Sequence, residues 1–84
     1  MLLLVIYDVE NDRTRVKVSE ACKDYGLSRV QYSAFQGNLS PNRMQELYFR
    51  LKTTLGVDTG NILMFPLCDK DAKQIKEIEN VSCC

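Results

Sequence analysis

The chain has 84 residues, 45% of them hydrophobic, with 11 basic and 11 acidic side chains and no histidine. That length makes one domain, residues 1–84, and so small a domain buries only about 60–65% of the surface its unfolded chain exposes, so that a second copy, a metal or disulfides commonly support it. Zero net charge gives no whole-molecule field toward nucleic acid, and the lack of histidine excludes the common zinc frameworks and imidazole acid–base chemistry.

Charge is nevertheless uneven. Residues 1–52 hold eight basic and six acidic residues, and the remainder holds three basic and five acidic ones. The tilt is weak evidence for an anionic partner of the N-terminal half, against the simpler reading of a mixed solvated surface. The cysteines are Cys22, Cys68, Cys83 and Cys84, none in a C-x-x-C pair. Cys22 and Cys68 have apolar neighbours and read as small buried hydrophobes, and Cys83 and Cys84 as incidental residues of a loose tail. No secretory signal or membrane-length apolar run is evident, which points to a cytoplasmic protein without a disulfide framework.

Met1 to Tyr7 is apolar or aromatic without a break, and Asp8 follows before the chain turns polar at Glu10-Asn11-Asp12. A run this short reads as a strand. Its lack of alternation predicts a central strand covered on both faces, which delivers a carboxylate to the margin of a sheet. Val18, Ala21, Cys22 and Tyr25 at i, i+3, i+4, i+7, with Gly26 behind them, predict an amphipathic helix over roughly 12–25. Arg13 and Arg15 fall in its first turn, where the helix dipole favours anions; they cost a few tenths of a kcal/mol unless an anion is nearby.

Ser28–Leu39 shows broken alternation and predicts two short strands with a tight turn or bulge near Tyr32-Ser33. In an ideal strand Arg29 and Gln31 share one side and Val30 and Tyr32 the other. Ser40-Pro41 is a helix start, with Met44, Leu47, Tyr48, Leu51 and Leu55 as the buried stripe and Gly56 as the stop. Phe49 falls off that stripe. Val57–Asn61 reads as a loop and Ile62–Phe65 as a second apolar strand. Pro66 cannot donate to a ladder, so this strand lies at an edge or ends near it. Ile75 and Ile78, three apart in Gln74–Glu79, suit a helical turn better than a strand, and Asn80–Cys84 is a loose tail.

The element order βαββαβ defines an α+β, ferredoxin-like sandwich with a short C-terminal piece. Its two helices cover one face of the sheet, and the apolar strands require a cover for the other. The expected cover is a second copy packed sheet to sheet about a two-fold axis, a homodimer, over the alternative of the short C-terminal segment folded back, which is too small to do so alone. A two-fold axis beside Asp8 would bring two carboxylates together, and facing carboxylates favour a shared proton or a shared divalent ion. Mg2+ prefers such oxygen ligands and can activate water toward a phosphodiester. The plain alternative is a solvated carboxylate at a strand end.

Tyr7-Asp8-Val9 at a strand end, Arg13-x-Arg15 in the first helix, and Arg29-Val30-Gln31-Tyr32-Ser33-Ala34-Phe35-Gln36-Gly37-Asn38-Leu39 together resemble the Cas-two family, small CRISPR-associated proteins of the spacer-acquisition machinery. Pro66-Leu67-Cys68-Asp69 also looks like theirs. The resemblance implies a ferredoxin-like homodimer whose last strand passes onto the partner sheet, which would make Gln74–Glu79 a strand. It implies that Asp8 is paired across the dimer and tied to phosphodiester cleavage that depends on Mg2+ or another divalent cation. Some members act on single-stranded RNA, others on double-stranded DNA, and some have no nuclease role. It further implies a dimer that bridges two dimers of the Cas-one integrase and holds duplex DNA by its backbone. Arg13, Arg15 and Arg29 would bind phosphates, and Tyr7, Ser33 and Phe35 would line the site around Asp8.

Three alternatives stand beside this expectation: a scaffold subunit in which Asp8 is structural, a stand-alone ribonuclease toxin of related fold, and a non-catalytic RNA-recognition module. The last needs stacking aromatics in one strand, where Ser33–Leu39 has only Phe35.

Overall fold

The computed structural model describes residues 1–67. The opening run forms β1 (Leu2–Val9). Asn11 then caps α1 (Asp12–Asp24), its side chain accepting the Thr14 N–H at 3.1 Å. Gly26, at φ +84°, takes a backbone conformation costly to other residues and turns the chain into β2 (Ser28–Gln31). β3 (Ala34–Asn38) follows across a tight turn at Tyr32 and Ser33. Ser40 caps α2 (Pro41–Leu55) by accepting the Arg43 N–H at 3.3 Å, and Gly56 ends it. β4 (Gly60–Leu67) completes the sheet.

The strand order is β2-β3-β1-β4, with every neighbouring pair antiparallel. This is the α+β, ferredoxin-like arrangement that the element order predicts. Among the described strands β1 is central, and β4, which carries Pro66, lies at an edge. Leu3, Val5, Tyr7 and Val9 point to one face of the sheet. They form the core with Val18, Ala21 and Cys22 of α1, Leu47 and Leu51 of α2, and Phe35 of β3. The helices are tied to each other by Arg50–Asp24 at 2.8 Å, and Arg43 and Arg50 lie over the Tyr25 ring at 4.4 and 6.0 Å.

The second face is left open by the two helices, as the element order predicts. Leu2, Leu4 and Ile6 of β1 face Leu67, Phe65 and Leu63 of β4 in register, and nothing in the described chain covers them fully. Ile6, Leu63 and Phe65 are 38%, 49% and 42% exposed. The unbroken run therefore serves two faces, of which the described residues cover one.

Three local expectations are corrected. A bulge between Arg29 and Gln31 puts Arg29 opposite Phe35 and Gln31 opposite Ala34, so these two residues lie on opposite sides of the strand. β4 starts at Gly60, so the preceding loop ends at Thr59 and Gly60-Asn61 belong to the ladder. Tyr48 is half exposed, edge-on to Phe49 at 5.4 Å, on the side of α2 that borders Met64 and Pro66 of β4 across an open cleft. The readings made for Cys68, Gln74–Glu79 and Asn80–Cys84, and with them the extra C-terminal strand, lie outside the described residues.

Candidate functional site

Two features meet where β1 ends, one on each face of the sheet. Asp8 follows Leu4 and Ile6 on the open face and is exposed there. Its register partner is Asn61 on β4, and directly opposed residues share a face with Cβ atoms about 4.5–5.5 Å apart. Gly60 makes this approach feasible. Its φ is +151°, and a Cβ there would strike the Asp8 carbonyl oxygen and come within 2.9 Å of Val9 Cα. Among the described residues no group of three or more His, Cys, Asp or Glu side chains could hold a metal. One chain thus offers a carboxylate and an amide oxygen, a donor set suited to a hard cation but only half of one site.

On the other face, a cleft of about 310 Å³ opens between α1 and the β2–β3 turn. Tyr7, Arg15, Ser19, Lys23, Arg29 and Tyr32 line it, with Glu20 as the opposing charge. Arg29 braces it. Its guanidinium donates to Ser19 Oγ at 2.9 Å and to the Tyr32 carbonyl, and lies 4.9 Å from the centre of the Phe35 ring. Phe35 in turn stacks on Tyr7 with centroids 6.3 Å apart. Burial raises the Tyr7 phenol above its ordinary range, partly offset by the Arg29 guanidinium. Cys22 is fully buried, and desolvation pushes its thiol up to about 11.

Arg15 donates to the Val9 carbonyl at 3.1 Å and pairs with Asp12. The anion that an arginine in the first helical turn requires is thus supplied by the chain itself. Arg13 is exposed, and its side chain makes no hydrogen bond or ion pair among the described residues.

The residues singled out in the sequence are therefore divided by the sheet. Tyr7, Arg15, Arg29 and Phe35 gather on the helix side and Asp8 stands on the open side. Within one chain, Tyr7 and Phe35 do not line the surroundings of Asp8, because neighbours along a strand point to opposite faces and Phe35 pairs with Val5. Ser33 meets this region through its backbone, accepting the Tyr7 N–H at 3.0 Å. Asn61, Lys23 and Tyr32 were not singled out. Asn61 depends on strand register, which the sequence does not display. Lys23 lies eight residues after Arg15, two helical turns on, and that spacing was the available signal.

Fold and site define a small ferredoxin-like domain with a carboxylate on its open sheet face and a basic cleft on its helix face. The sequence model described as "CRISPR associated protein Cas2" matches residues 1–75. The chain belongs to this family. It is 51% identical over 79 residues to the CRISPR-associated endoribonuclease Cas2 of Desulforudis audaxviator, covering 94% of this chain and 74% of that protein. Its fold is similar to crystalline Streptococcus pyogenes Cas2 (TM-score 0.79, 26% identity, 94% of this chain and 100% of that one). It also resembles a chain of a partial Cas6-RT-Cas1–Cas2 complex (TM-score 0.74, 28% identity, 92% and 89% covered). No helix among the described residues is long and apolar enough to cross a membrane.

Proposed function

We propose that this chain acts as a homodimeric subunit of the CRISPR adaptation assembly, partnered by the Cas1 integrase, and that it holds nucleic acid by its backbone and cuts it with a divalent cation, most simply Mg2+. The observation that carries the proposal is the position of Asp8 at the polar end of an apolar sheet face that the described residues leave uncovered. Isologous pairing of that face about a two-fold axis would bring the two Asp8 carboxylates near each other, each with its own Asn61. Together they would complete the donor set that one chain only half supplies. A cation so held supplies activation of water and charge neutralisation at phosphorus. The chain's own part is to exclude water beneath the site with the packed sheet and to fix Asp8 through the β1–β4 ladder. Arg13, Arg15 and Arg29 are the proposed phosphate partners, and the complex with Cas1 seen for a structural relative supports the partnership.

The lack, among the described residues, of any group of three or more acidic, cysteine or histidine side chains that could hold a metal favours a second reading: a scaffold that binds nucleic acid and does not cut it. Wild type and Asp8→Asn, assayed with single-stranded RNA and duplex DNA with and without Mg2+, separate the two. Cleavage lost on Asp8→Asn with binding retained supports the nuclease. Equal cleavage by both proteins overturns the role of Asp8, and binding without cleavage by either supports the scaffold.

A further inference from the structure

We propose that the cleft between α1 and the β2–β3 turn is the seat of one unpaired nucleotide, with the Tyr32 ring as its stacking platform and Lys23 and Arg15 as its phosphate partners. The proposal rests on the nucleic-acid reading above and adds a site to it: a seat for one unpaired base on the helix face of the sheet, across from Asp8.

Tyr32 is the most informative residue. Its side chain is 76% exposed, at the tip of a two-residue turn, where an aromatic ring has no packing role. It makes no ring contact among the described residues, unlike Tyr7, Tyr48 and Phe35. Its backbone is nevertheless held, because its carbonyl accepts from Arg29, which is itself fixed on Ser19 and Phe35. A ring on an anchored backbone, with only two side-chain torsions to restrict, loses little entropy on binding a flat partner.

The charge beside it is suited to phosphate. Arg15, Lys23 and Arg29 outnumber Glu20 on the lining. Arg15 is partly neutralised by Asp12, but a guanidinium carries five N–H donors and the Val9 and Asp12 contacts leave others free. The Lys23 side chain makes no ion pair or hydrogen bond among the described residues, its backbone carbonyl alone accepting at the helix end. The cleft's 310 Å³ lies at the small end of the range for ligand sites, of the order a single nucleotide unit needs. In a duplex the base faces are hidden in the stack, so Tyr32 would have nothing to stack on unless a base were extruded.

The test uses the full chain and measures fluorescence anisotropy of labelled oligo(U), oligo(dT) and a blunt DNA duplex. The proteins are wild type, Tyr32→Ala, Tyr32→Phe and Lys23→Ala. Tyr32→Ala is expected to weaken single-strand binding by about 5- to 150-fold, as loss of one stacked base predicts, and to leave duplex affinity unchanged. Tyr32→Phe keeps wild-type affinity, because the ring and not the hydroxyl is used. Lys23→Ala weakens single-strand binding and flattens its salt dependence. Unchanged single-strand binding by Tyr32→Ala, or equal losses on single strand and duplex, overturns the proposal. Wild type that binds duplex alone also overturns it while leaving the nucleic-acid reading intact, and wild type that binds neither overturns both.

Discussion

Cys22 shows how far burial alone sets the chemistry of a residue. Its side chain lies against the sheet with no exposure, and its thiol is pushed from 9.0 to about 11. Above pH 9 the unfolded chain releases this proton while the folded chain keeps it, so the unfolded state binds fewer protons and stability falls as pH rises. The loss amounts to about 2–3 kcal/mol by the time the folded thiol ionises. Tyr7, also raised, adds a fall of the same sign. Urea unfolding should give a midpoint that is flat to about pH 9 and then declines, and Cys22→Ala should decline less steeply. Individual residues were unequally legible in the sequence. Asp8 stood out because an acid ends an apolar run, and Cys22 because its position falls in a helical stripe. That Tyr7 and Phe35 lie across the sheet from Asp8 was not legible, since face membership depends on the pairing register of three strands.

At the scale of elements, β4 is set by its first residue. Gly60 carries β4 into the ladder at a φ that other residues rarely adopt and against the backbone of Asp8 and Val9. Gly60→Ala should therefore cost about 1–3 kcal/mol in urea unfolding, through strain in the β1–β4 ladder. Gly56→Ala, where the nearest contact of an added Cβ is 3.6 Å away, probes φ strain without the clash and should cost less. The helices were legible because their ends are written in the chain: Ser40-Pro41 and Gly56 bound α2, and Gly26 follows α1. The β2–β3 hairpin was legible from broken alternation in Ser28–Leu39. The position of its bulge was not, because Val30 and Gln31 carry no residue that demands it, and it is the bulge that sends Arg29 to the helix side.

For the molecule as a whole, the decisive feature is an apolar sheet face that the described chain leaves open. Leu63 and Phe65 project from it and contribute little to the single-chain core. On the homodimer reading, Leu63→Lys combined with Phe65→Glu should give a folded monomer at micromolar concentration in sedimentation equilibrium. Circular dichroism should remain that of the wild type. A wild type that sediments as a monomer would remove the homodimer, and with it the pairing of Asp8. The fold was legible at this scale because the order of elements admits few antiparallel arrangements. The open face was legible as well, since two helices on one side of a sheet of apolar strands leave the other side in need of a cover; what covers it was not, because an unbroken apolar run records only that both sides avoid water.

The alternation along β1 has a consequence for how the protein tolerates change. Leu3, Val5, Tyr7 and Val9 face the chain's own helices, whereas Leu2, Leu4, Ile6 and Asp8 face outward. Damage at the first set is intramolecular, so its effect on folding does not depend on dilution. Damage at the second set, on the dimer reading, is bimolecular and is masked by mass action at high protein concentration. A saturation scan of residues 2–9 repeated at two expression levels should split into two interleaved classes, odd positions indifferent to abundance and even positions rescued by it.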